Sequence, residues 1–265
     1  MAFDIWHITR AGPGVDENEP RKKGIRRFLE LLGRDGSAYL RANLVCMLAF
    51  LPGTVAVCYG VYSGSIGFVL FAGALGGIPA GIALQGMYDT VLRTLRDEAN
   101  FWWPTWRRAV RASLRLSIPT GALLGATLGM AGFLYYWKLR GAAAQGIAEW
   151  WAPALYLLVF AMLFSSLLPQ LALLDVSFLQ LLKNSLLFML GALPRVLAAA
   201  LIAILYWGAT LTLFPYSLLF LPLFGFWLVT LLSCMLVYPP LDAAYQVEKT
   251  LRERAAQQDE NEENG

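Results

Sequence analysis

Residues 42–88 read ANLVCMLAFLPGTVAVCYGVYSGSIGFVLFAGALGGIPAGIALQGMY, and none of them carries a charge. A helix crosses the hydrocarbon core of a bilayer with roughly 20 apolar residues. This stretch is long enough for two crossings, and Tyr62-Ser63-Gly64-Ser65 supplies a turn between them. Lipid offers the backbone no hydrogen bonds, so crossing segments of this length must be helical. The stretch therefore predicts a helical hairpin, span 1 over about 43–62 and span 2 over about 65–88.

The same logic extends outward. Leu116–Trp137, Trp150–Leu174 and Val196–Leu241 are also free of charge. They add span 3 (about 116–137), span 4 (about 151–174), a fifth span and span 6 (about 217–238). The fifth has two readings: a start near Lys183 with Arg195 in its inner half, or a start at Val196 after a short interfacial helix. Composition agrees, with 58% hydrophobic and 15% charged residues against about 25% charged in an ordinary soluble domain. The expected fold class is all-α, a polytopic membrane helical bundle of about six transmembrane helices. The mostly polar opening residues do not read as a cleavable signal peptide. Cys46, Cys58 and Cys234 fall inside predicted spans without metal-ligand spacing, and read as small core residues.

Orientation follows from the basic residues. With the N-terminus cytoplasmic, only Lys138 and Arg140 of the 21 lysines and arginines lie outside. The expectation is a multi-pass protein of the bacterial plasma membrane, both termini cytoplasmic, with anionic inner-leaflet lipids at its basic face. Four parts are expected: a flexible N-terminus 1–24, an amphipathic interfacial helix 25–41, a transmembrane domain 42–241 with a cytoplasmic loop 89–115, and a C-terminal helix and acidic tail 242–265. Ile25, Phe28, Leu29 and Leu32 share one face of the interfacial helix, with arginines opposite. It either lies in the inner leaflet or packs on the protein's own loops. Trp102, Trp103 and Trp106 suit the lipid head-group level.

Three places read basic, any residue, Asn or Ser, Leu: Arg41–Leu44, Arg111–Leu114 and Lys183–Leu186. Each precedes a proline (Pro52, Pro119, Pro194) and, on this reading, marks the entry of spans 1, 3 and 5. The pattern is either three pseudo-repeated hairpins or the usual gathering of such residues at helix ends. The Asn or Ser could satisfy backbone groups freed near the membrane surface.

Chemistry-bearing motifs are few. The one histidine, His7, lies in the N-terminal segment. Neither a Walker phosphate loop nor a Gly-x-Ser-x-Gly elbow occurs, and no catalytic, cofactor or metal residues are expected. Arg195 is the one candidate intramembrane charge, reading either as functional or as snorkelling to the inner surface. Span 2 carries Gly73, Gly77 and Gly81, and span 3 carries Gly121, Gly125 and Gly129. Four-residue spacing puts each set on one helix face. Small residues let helix backbones approach in lipid, so spans 2 and 3 are expected to pack through these glycines, or one groove faces a partner or a second copy.

The order of several segments resembles the YesL-like family of uncharacterised bacterial membrane proteins. They are Gly12-Pro13-Gly14-Val15, the run Pro20-Arg21-Lys22-Lys23, the helix from Arg26 to Leu32, Asn43-Leu44, Pro169 to Asp175, and Lys183 to Leu186. The resemblance implies six spans and association with carbohydrate importers of the ATP-binding-cassette (ABC) type, and carries no site residues. The permease coupling motif is absent, so the expected role is an accessory subunit that binds the importer's permease or ATPase, with no nucleic-acid partner. Rival readings are a stand-alone channel or facilitator and a membrane-embedded regulator.

Overall fold

The computed structural model describes residues 22, 24–98, 101–141, 146–250 and 253. His7, the predicted N-terminal segment 1–24 apart from Lys22 and Gly24, and residues 254–265 of the acidic tail lie outside them. Among the described residues these α-helices follow one another: α1 Gly24–Ser63, α2 Ile66–Leu95, α3 Trp102–Arg140, α4 Trp151–Leu173, α5 Phe178–Gly191, α6 Leu193–Thr212 and α7 Leu221–Tyr245. No strand occurs among the described residues. All but α5 are long and apolar enough to cross a membrane, so the fold is an all-α bundle with six candidate spans. Leu48, Leu51, Val55, Tyr59 and Tyr62 of α1 are exposed, as expected of a face that meets lipid.

Three boundaries differ from the sequence reading. The predicted interfacial helix is not separate: α1 runs without a break from Gly24 to Ser63. Gly33 and Gly36 fall inside this helix, where each glycine costs about 1 kcal/mol. The helix continues through them because Arg27 and Tyr39, on either side, and Arg34 between them hydrogen-bond to α2. Its buried residues there are Arg27, Leu31, Ala38 and Tyr39, while Ile25 and Leu29 are exposed. The second difference is the loop 89–115, which is the helical ends of α2 and α3. Gly86 of α2 lies against the ring of Trp106, and this contact carries both helices past their apolar stretches. The third concerns the fifth span, where the structure matches the second reading, a short helix and then the span, with a start three residues before Val196. It is α6, starting at Leu193 after the separate 14-residue α5. Pro194 sits in the first turn of α6, where its missing N–H costs nothing.

Lys183–Leu186 consequently lies inside α5, not at the entry of a span. The three positions of the pattern do different things. Asn43 is fully buried and bonds to α7. Ser113 is half-buried, and its side chain has no hydrogen-bond partner among the described residues. Ser185 is buried and donates to Leu181 O in its own helix.

Helix α7 crosses the bundle on a diagonal. Its first residues meet α1, with Phe226 stacked on Phe50 at 4.6 Å between ring centroids and Trp227 on Tyr39 at 5.4 Å. Its last residue meets α4, where Tyr245 donates to Gln170 Oε1 at 3.3 Å. The helix is broken at Gly225 (φ −40°, ψ −108°). A break frees backbone groups, and buried ones must find partners. Asn43 supplies them. Its Nδ2 donates to Leu221 O (2.8 Å) and Pro222 O (2.9 Å), and its Oδ1 accepts from Phe226 N–H (2.6 Å).

Candidate functional site

Ionisable residues collect at one end of the bundle, where α1 begins, α2 ends and α3 begins. Two classes of cation stand there, and their difference defines the site.

The first class is neutralised within the chain. Asp97 follows the last turn of α2 with φ +64°, the left-handed conformation that usually ends a helix on glycine. Aspartate tolerates it better than most residues. Its carboxylate accepts from Arg27 Nη2 (2.7 Å to each oxygen) and Arg34 Nη1 (2.6 Å). The same arginines donate to the orphan carbonyls at the end of α2, Arg27 to Leu95 O (3.2 Å) and Arg34 to Thr94 O (2.8 Å). Beside this clasp, Thr94 donates its hydroxyl to Val91 O, so Tyr39 must be the donor in their 2.6 Å contact. A second chain runs Asp89–Arg93–Glu98–Arg96, with nitrogen–oxygen distances of 2.9, 3.0 and 2.6 Å.

Burial raises the Asp97 carboxyl, but hydrogen bonds from Arg34 and Arg27 outweigh it and hold the group below the ordinary carboxylate range. A depressed native value means stability that is present above the unfolded value, about 3.9, and lost as pH falls through the native one. Asp97→Asn keeps a residue suited to the left-handed turn but discards the charge. It should cost about 2 kcal/mol at pH 7, the scale of charged hydrogen bonds, with faster amide exchange over residues 24–38. Thermal unfolding in detergent checks this: the gap between wild type and variant should close as pH falls below about 4.

The second class lies on α3. Arg107, Arg108, Arg111 and Arg115 are all exposed and fall within an arc of about 100° on the helix. Among the described residues none has a carboxylate within 4.0 Å. Four unpaired cations on one face repel one another, so the face is suited to an anionic partner. Exposed Leu114 and Ile118 continue it toward the apolar stretch. Trp103 stacks on Trp106 at 5.6 Å and 8°, and Arg41 lies 5.9 Å over the Trp102 ring.

The glycines singled out from sequence line the α2–α3 contact. A β-carbon built at Gly77 would stand 2.8 Å from Gly125 Cα, and one at Gly121 would stand 2.9 Å from Gly81 Cα. Gly73 faces Gly125 O at 2.5 Å by the same measure, and Gly129 faces Val69 at 3.2 Å. Arg195 sits exposed in the first turn of α6, outside this charged cluster. Sequence reasoning missed Gly53 and Gly76, which bring α1 and α2 together, a β-carbon at Gly53 falling 2.8 Å from Gly76 Cα. Neither has a glycine four residues away on its own helix, so the four-residue signal that marked the other seam did not reach them. It also missed Asp97, whose turn conformation only the fold reveals. Among the described residues no cluster of three or more His, Cys, Asp or Glu could hold a metal ion.

No protein-family model matches the chain, and no curated protein or solved structure matches it.

Proposed function

We propose that the chain is an accessory subunit of a membrane transport assembly, docking a partner through the arginine face of α3. The observation that carries this reading is the contrast between the two classes of cation. Arg27, Arg34, Arg93 and Arg96 are neutralised internally, whereas the four α3 arginines are presented unpaired. Unpaired charge on one face steers association and fixes the register of a complementary partner. The resemblance supplies the kind of assembly, an ABC-type carbohydrate importer, and the partner is then its permease or ATPase.

The proposed orientation puts the charged end in the cytoplasm of a bacterial cell, as the positive-inside rule implies. In intact cells a cysteine at exposed Ser63 should react with an impermeant maleimide, and one at exposed Arg111 should not. Labelling at 111 alone would reverse the topology.

The functional reading is tested by purification in mild detergent after cross-linking. An importer permease or ATPase should co-purify with wild type and be lost when Arg107, Arg108, Arg111 and Arg115 are all changed to Glu. If the purified chain by itself carried solute across a vesicle membrane, the accessory role would be wrong and the channel reading would replace it.

A further inference from the structure

Helix α5 is too short to be a span, and a groove of about 390 Å³ opens between it and the second half of α7. Leu187, Phe188, Ala192, Pro240 and Ala244 make its walls apolar, while Asn184 adds a polar group. The outer side of α5 is apolar as well, since Leu179, Leu186, Leu187 and Leu190 are all exposed. An exposed apolar helix in a chain with six candidate spans sits against lipid, so the groove opens onto acyl chains, not onto water alone. Two cations flank it. Lys183 precedes the wall residue Asn184, and Arg195 follows the wall residue Ala192 by one turn, its N–H bonding to Ala192 O at 3.0 Å. Both are exposed, and neither has a carboxylate within 4.0 Å among the described residues.

We infer that this groove is a binding site for one anionic phospholipid, its acyl chain between α5 and α7 and its phosphate between Lys183 and Arg195. Charge complementarity selects the occupant. A second copy of this chain would bring the same two cations to the rim and repel, and a zwitterionic lipid would gain less from them. The inference stands independently of the partner docked on α3.

The test uses the full chain in nanodiscs of equal phosphatidylglycerol and phosphatidylcholine, with a benzophenone-bearing analogue of each lipid in turn. Cross-linking to peptides of α5 and α7 should favour the phosphatidylglycerol analogue about 25-fold, fivefold from each of the two cations. Each cation near a membrane surface contributes on the order of fivefold, so Lys183→Gln and Arg195→Gln should each lower that preference by about this factor. Gly191 borders the groove, and a β-carbon there meets nothing within 4 Å. Gly191→Leu should therefore fill the groove without disturbing the fold and suppress cross-linking of both analogues, with helicity by circular dichroism unchanged. Equal labelling by the two lipids in wild type, or a preference untouched by both charge changes, would overturn the inference. So would recovery of α5 cross-linked to a second protein chain, or lipid labelling that appears only once residues 257–265 are deleted. The last result would make the acidic tail the occupant.

Discussion

Gly77→Leu should prevent the chain from accumulating as a folded, monodisperse species in detergent. At this position the obstacle is backbone, since a side chain would run into Gly121 O and the Cα and N of Gly125. Backbone cannot rotate aside as a side chain can, so α2 and α3 would have to separate. Overpacking a core typically costs about 1–3 kcal/mol, and this contact should lie at or above the top of that range. In lipid, helices associate mainly through close packing, so the lost approach has little to replace it. Gly125→Leu should behave alike. Gly67→Leu is the control, because a β-carbon there meets nothing within 4 Å. The seam is also too tight for a pair of cysteines at 77 and 125. Cysteines at 69 and 129 are the better pair, and should oxidise within one chain. Normal yield and melting of Gly77→Leu, with no cross-link at 69 and 129, would show that α2 and α3 do not meet this way.

Asn43→Leu should be nearly as damaging, through polarity rather than volume. It removes three hydrogen bonds and leaves Leu221 O, Pro222 O and Phe226 N–H without the partner they have in the wild type. A buried polar group stripped of its partner costs about 1–3 kcal/mol. Three at once should total about 4 kcal/mol, allowing that groups in lipid find some replacement. Asn43→Asp keeps the acceptor for Phe226 but turns an oxygen toward two carbonyls, so it should not rescue. Ser113→Ala, at the corresponding place in the sequence pattern, should change little. The measurement is thermal unfolding in detergent, followed by α7 amide exchange around Gly225. If Asn43→Leu and Ser113→Ala melted together, Asn43 would not be holding the break.

These two predictions also show what the sequence could disclose. The α2–α3 seam was legible because both helices repeat glycine every four residues, and periodicity is visible without a fold. Asn43 was legible as a residue able to serve freed backbone groups. Its partners were not, since they lie about 180 residues away and depend on the break at Gly225. The spans were legible from the absence of charge, whereas the ends of the helices were not. Loss of hydropathy after Met87 and before Leu116 marks where the apolar stretch stops, not where the helix stops. Tertiary contacts such as Gly86 on Trp106 decide that. The charged end was readable as basic, but the division into paired and unpaired arginines requires knowing which carboxylates the fold brings near.

One consequence of α1 is mechanical. At about 1.5 Å per residue, its 40 residues measure about 60 Å, twice the roughly 30 Å of a hydrocarbon core. About half of it therefore stands outside the bilayer as a rigid extension of the half inside. The clasp of Arg27 and Arg34 on Asp97 grips that extension far from the membrane midplane. The geometry is that of a lever with its latch at the long end. With the latch released, the outer half would still be held on the bundle by buried Leu31, Ala38 and Tyr39, so the clasp governs how firmly the far end of the arm is fastened.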